Sequence, residues 1–110
     1  MKLWIDDLRD RPDTSWTLAR TITEAIRLIA TFEWDEVSLD CDCGTPNESF
    51  MAVAYYICAR YRKHDNCECD DDPIMPKISI HSANPACAED MRKLFEEHGI
   101  VAIINPAIKQ

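Results

Sequence analysis

The stretch VSLDCDCG at residues 37–44 decides how this chain is read. An apolar run of strand length, Val37 to Leu39, gives way to two carboxylates, Asp40 and Asp42, interleaved with two thiols, Cys41 and Cys43. On an extended backbone, side chains two apart point to one side, so the aspartates share a face and the cysteines take the other. The thiols on that opposite face read as packing residues. The stretch therefore reads as a strand that carries its acids at its carboxyl end.

Outward from it, the chain alternates between two periods. KLWI (2–5), WTLAR (16–20), KISIH (77–81) and IVAII (100–104) are further apolar or alternating runs of strand length. Three longer stretches between them have helical spacing. In the first, Thr21 and Glu24 stand in capping-box positions ahead of the stripe Ile22, Ala25, Ile26 and Ile29. In the second, Phe50, Val53, Ala54, Ile57, Cys58 and Tyr61 recur every three or four residues. The third is capped by Asn84, begins at Pro85, runs through Met91, Leu94 and Phe95, and stops at Gly99.

Strands alternating with helices imply a parallel sheet covered by helices, with ligands bound beyond the carboxyl ends of the strands. That is the edge at which this sequence turns polar. The first strand runs into Asp6 and Asp7, the third into Asp40 and Asp42, the fourth into His81, Ser82 and Asn84, the fifth into Asn105 and Pro106. One connection is irregular: LRDRPDTS (8–15) is too short for a crossover helix. The second strand is thus either antiparallel at the edge or reached by an extended crossover, and the parallel arrangement is favoured.

At 110 residues the chain, 1–110, is read as a single domain. Apolar residues make up 46% and charged residues 29%, a globular composition. No apolar run approaches the roughly 18 residues that span a bilayer, and MKLWIDD reaches carboxylates too soon for a signal peptide, so a cytoplasmic location is expected. A net charge of −8 argues against coating duplex nucleic acid, which needs clustered Lys and Arg, but leaves room for a small phosphorylated ligand or an RNA terminus held through a metal. Six cysteines without a secretion signal read as reduced thiols, with Cys58 and Cys87 as small core hydrophobes.

Carboxylates converging from separate strand ends repel one another unless a hard divalent cation offsets their charge. Mg2+ is the expected cofactor for the acids gathered at these strand ends. Beside it, His81 is placed to move a proton, Asp42 and Ser82 to take part in catalysis, and Arg9, Asn84 and Asn105 to bind a phosphate. Each has an ordinary use as well, in turns, caps, salt bridges or a structural histidine. Zn2+ is the lesser alternative: Cys41-x-Cys43 and Cys67-x-Cys69 with His64 offer soft donors, but neither pair has the usual zinc-site spacing. The acidic segment HDNCECDDDP (64–73) reads as a solvated loop or a lid over the pocket.

WIDDLRDRP, VSLDCDCG and HSANP, in this order and at this spacing, closely resemble the cyclic-phosphate-processing receiver-like domains, an offshoot of the response-regulator receiver superfamily. The resemblance spans nearly the whole chain. It implies a compact flavodoxin-like three-layer α/β sandwich with a five-stranded, mostly parallel sheet and the first crossover helix missing. It also implies that Asp6, Asp7 and Asp40 hold magnesium and that Ser82 contacts phosphate. Asn105 stands where receivers carry a lysine, which argues against an ordinary phosphoacceptor. The family's HSANP histidine is His81, whereas the histidine expected between the paired aspartates is Cys41. The implied activity is metal-dependent hydrolysis of a cyclic phosphate, with a catalytically degenerate binding or interaction module and a phosphoacceptor receiver as the alternatives.

Overall fold

The computed structural model describes residues 1–7, 10–41, 49–61, 75–82 and 84–105. Five strands form one sheet: β1 (Lys2–Ile5), β2 (Trp16–Ala19), β3 (Glu36–Leu39), β4 (Lys77–Ile80) and β5 (Ala102–Ile104). Their spatial order is β2-β1-β3-β4-β5, and every neighbouring pair is parallel. The second strand is therefore parallel, as favoured, and no described residue between β1 and β2 is helical.

Helices α1 (Ile22–Thr31), α2 (Met51–Arg60) and α3 (Pro85–Glu97) follow β2, β3 and β4. The expected capping chemistry sets the starts of α1 and α3. Thr21 Oγ1 accepts from the Glu24 amide at 3.1 Å, and Asn84 Oδ1 accepts from the Cys87 amide at 3.2 Å with Pro85 at the first helical position. The chain leaves α3 through Gly99 at φ +75°, a conformation that costs glycine no Cβ clash.

Strand parity divides the sheet into two unlike faces. Leu3, Ile5, Val37, Leu39, Ile78 and Ile80 point to one side and form the core with Ala25 and Ile29 of α1, Val53 and Ile57 of α2, and Met91 and Phe95 of α3. All three helices thus cover the same face, α1 against α2 and α2 against α3. The opposite face carries Trp4, Ser38 and Ser79 in adjacent register.

Among the described residues the three helices lie on one side of the sheet. The reason is crossover handedness. The connections β2→β3, β3→β4 and β4→β5 all advance in one direction across the sheet, so right-handed crossovers place their helices together. Only β1→β2 runs the other way, and it is the connection without room for a helix.

No described helix is long and apolar enough to cross a membrane. Cys58 is a buried free thiol, pushed up to about 11 by desolvation, and serves as the small core hydrophobe expected. Cys41 and Cys87 correct the reading of reduced thiols: they form a disulfide across 46 residues of sequence, with Cα atoms 6.0 Å apart. Spacing along the chain could not show this. Cys41 projects from the end of β3 toward the helix-covered face, where the start of α3 meets it.

An acidic rim backed by a buried histidine

The carboxyl edge of the sheet is built by backbone continuation of the strand ladder. The Asp6 amide donates to Ala19 O at 3.0 Å, Asp40 N to Ile5 O at 2.9 Å, His81 N to Leu39 O at 3.1 Å and Asn105 N to Ile80 O at 2.8 Å. Four strand ends are thereby held in line before any side chain interacts. On this edge Asp6, Asp7 and Asp40 each present a carboxylate oxygen within 4.8 Å of the others. Asp6 is fully buried and Asp40 is 9% exposed, while Asp7 is half-buried.

Crowding of acids marks Asp40. Its carboxyl titrates above the ordinary value of 3.8, first because burial disfavours the charged form and second because Asp6 lies beside it. The Cys41 amide, at 2.7 Å from Oδ1, and the Ser82 hydroxyl oppose that rise. Ser82 also accepts from the Asn84 amide at 3.1 Å, which ties the acid pocket to the cap of α3.

His81 departs from expectation. Its ring is fully buried and lies against Asp6. Nε2 lies 3.0 Å from Asp6 Oδ2, Nδ1 lies 2.7 Å from Ser38 Oγ, and the ring stacks on Trp4 at a centroid distance of 3.7 Å with 7° between planes. An ionised Asp6 only accepts, so Nε2 carries the proton toward it, and on a neutral ring the Ser38 hydroxyl donates to Nδ1. The unit orients Asp6. Trp4 in turn meets Trp16 edge-on at 5.5 Å. Ser38→Ala is expected to remove the hydrogen bond between the hydroxyl and the buried Nδ1 and to cost about 0.5–1.5 kcal/mol of stability, measured by urea unfolding. A change below about 0.5 kcal/mol would show that the hydroxyl does not hold the ring.

The other expected site residues divide three ways. Asn84 and Asn105 lie on the same rim, but Asn84 Oδ1 is engaged as the helix cap. Arg9 and Asp42 lie outside the described residues, as do Cys43, His64, Cys67, Cys69 and the segment 64–73. Cys41, bonded to Cys87, has no thiolate to offer zinc.

Sequence reasoning passed over Ser38 and Arg20. A serine inside an apolar strand at the parity of Asp40 was the available signal for the first. Arg20 directly follows β2, and its Nη1 reaches the carbonyl oxygen of Asp6 at 3.5 Å, so a cation stands at the acidic rim. The polar-strand-end logic that found the aspartates would have found it, had it been carried to the second strand.

The five-stranded parallel sheet agrees with the family comparison: the model of the cyclic-phosphate processing receiver domain matches residues 1–97. The chain belongs to this family. No curated protein and no solved structure gives a significant match. As a cyclic-phosphate processing receiver domain, the chain brings together the acidic rim, the Ser38–His81–Asp6 unit and the Asp40–Ser82–Asn84 link on one sheet edge.

Proposed function

We propose that this receiver domain holds Mg2+ between Asp6, Asp7 and Asp40 and hydrolyses a cyclic phosphate ester, on a nucleotide or at an RNA terminus. The observation that carries the reading is the approach of three carboxylate oxygens to within 4.8 Å, two of the three side chains being largely buried. The donor set suits the ion: all three ligands are hard oxygens, with neither thiolate nor imidazole among them. Bound there, the cation would polarise a phosphoryl oxygen and favour attack by water.

The chain's own residues supply the rest. The Ser38–His81 pair fixes Asp6, and the Cys41 amide and Ser82 fix Asp40. Arg20 supplies positive charge from the β2 side, where receivers would use a lysine at the position of Asn105. Hydrolysis adds water across one P–O ester bond, which leaves a phosphomonoester and a free hydroxyl.

Incubation with 2′,3′- and 3′,5′-cyclic phosphates in Mg2+, followed by phosphorus NMR, tests the reading. Turnover of at least one, lost in chelator, is expected, and Arg20→Gln should raise KM about 10-fold with a smaller effect on kcat, as for a group that binds ground state and transition state alike. No turnover across the panel would overturn the hydrolase.

A second reading, a binding module that has lost its chemistry, is favoured by a specific observation. His81 is fully buried with Nε2 against Asp6, and Cys41, at the other histidine position of the family pattern, is locked in a disulfide. Stoichiometric binding of a cyclic phosphate without product distinguishes it. The phosphoacceptor reading requires labelling of Asp40 by acetyl phosphate.

A further inference from the structure

We propose that Cys41 and Cys87 are a redox couple that tightens or slackens the Asp40 turn, with a dithiol as the exchanging partner. Residue 41 is tied to the site at three points. Its amide donates to Asp40 Oδ1 at 2.7 Å, its carbonyl accepts from the Phe50 amide at the start of α2 at 2.8 Å, and its sulfur is bonded to α3. Cys87 is itself the residue whose amide donates to the α3 cap, Asn84, and the Asn84 amide reaches Ser82, which contacts Asp40. The disulfide therefore closes a ring around the buried carboxylate: Asp40, Cys41, Cys87, Asn84, Ser82 and back to Asp40. Opening it leaves the Asp40 turn held by hydrogen bonds alone.

Access selects the direction of attack. Cys41 is fully buried, whereas Cys87 is half-buried near the start of α3. An incoming thiolate reaches Cys87 Sγ first, and the mixed disulfide forms there while the Cys41 sulfur leaves and takes up a proton. The second thiol of the dithiol then displaces Cys87. Two electrons and two protons have passed to the protein, and the dithiol departs as its own disulfide. Return to the bonded form takes a two-electron oxidant such as a peroxide or another disulfide.

The consequence for metal binding rests on the proposed Mg2+ site, but the device itself does not. The experiment uses the full chain, oxidised and after dithiothreitol. A non-reducing peptide map should show the Cys41 and Cys87 peptides linked, and reduction should accelerate hydrogen exchange at the Phe50 amide and weaken Mg2+ binding, measured by calorimetry, about 10-fold, the loss typical when a ligand's supporting contact is removed. Cys87→Ser should match the reduced wild type and ignore dithiothreitol. Unlinked peptides overturn the proposal. So does a linked pair whose reduction changes neither exchange nor affinity, which would make it a plain staple. Linked peptides with accelerated exchange but no Mg2+ binding in either state uphold the device and overturn the metal reading instead.

Discussion

Asp40→Asn is expected to weaken Mg2+ binding at least about 100-fold, since the loss of a mere supporting contact already costs roughly 10–100-fold, and to abolish turnover with it. The same substitution is expected to stabilise the metal-free protein near neutral pH. The sign follows from the carboxyl's environment. Burial and then Asp6 raise its folded-state pKa above the usual 3.8. Below 3.8 the group is protonated in both states and contributes nothing. As pH rises through the window between 3.8 and the folded value, the unfolded chain releases the proton first, so the native state loses stability relative to it, and above the folded value the penalty is complete. The neutral amide of the variant escapes that penalty while its side-chain oxygen still accepts from the Cys41 amide.

Thermal unfolding of both proteins, with and without Mg2+ and across pH, checks this. Without metal, the variant should be the more stable near pH 7 and the difference should vanish toward acid. With saturating Mg2+ the order should reverse, because only the wild type gains binding free energy. A metal-free variant less stable than the wild type at neutral pH would mean that the Asp40 charge is offset by groups other than a cation, and would remove the physical reason for a metal there.

The sheet was legible because its strands are short apolar runs that turn polar at the same end, and parity alone told which side each residue faces. Thr21, Asn84, Pro85 and Gly99 marked helix ends through local backbone chemistry, which is written in adjacent residues. The convergence of Asp6, Asp7 and Asp40 followed from strand order and needed no side-chain detail. What escaped was long-range. His81 reads from sequence as an acid–base group or a structural histidine at a strand end, and only packing shows that Trp4 stacks on it and that Ser38 and Asp6 take its two nitrogens. The Cys41–Cys87 bond joins residues 46 apart that no periodicity relates. Helix periodicity says which side of a helix is apolar and nothing of which side of the sheet it covers; the direction of each crossover supplies that.

Reduction of that disulfide is expected to produce a large loss of stability with no change of sequence. Closing a loop of 46 residues restricts the unfolded chain by about 4 kcal/mol in the chain-entropy description, with about 2–4 kcal/mol commonly realised. At about 4 °C per kcal/mol for a domain of this length, the melting temperature should fall by about 8–16 °C in dithiothreitol. The mechanism has a signature separate from its size. If the crosslink acts through the unfolded state, the reduced chain exposes more surface on unfolding, and the urea m-value should rise along with the fall in midpoint. If it acts by holding the native Asp40 turn, the m-value should stay constant and the loss should grow in Mg2+, because the oxidised form binds the ion more tightly and gains more from it. Cys87→Ser should reproduce the reduced protein in both quantities. A melting temperature unmoved by dithiothreitol, with the reduction confirmed by peptide map, would show that the bond contributes nothing to the fold.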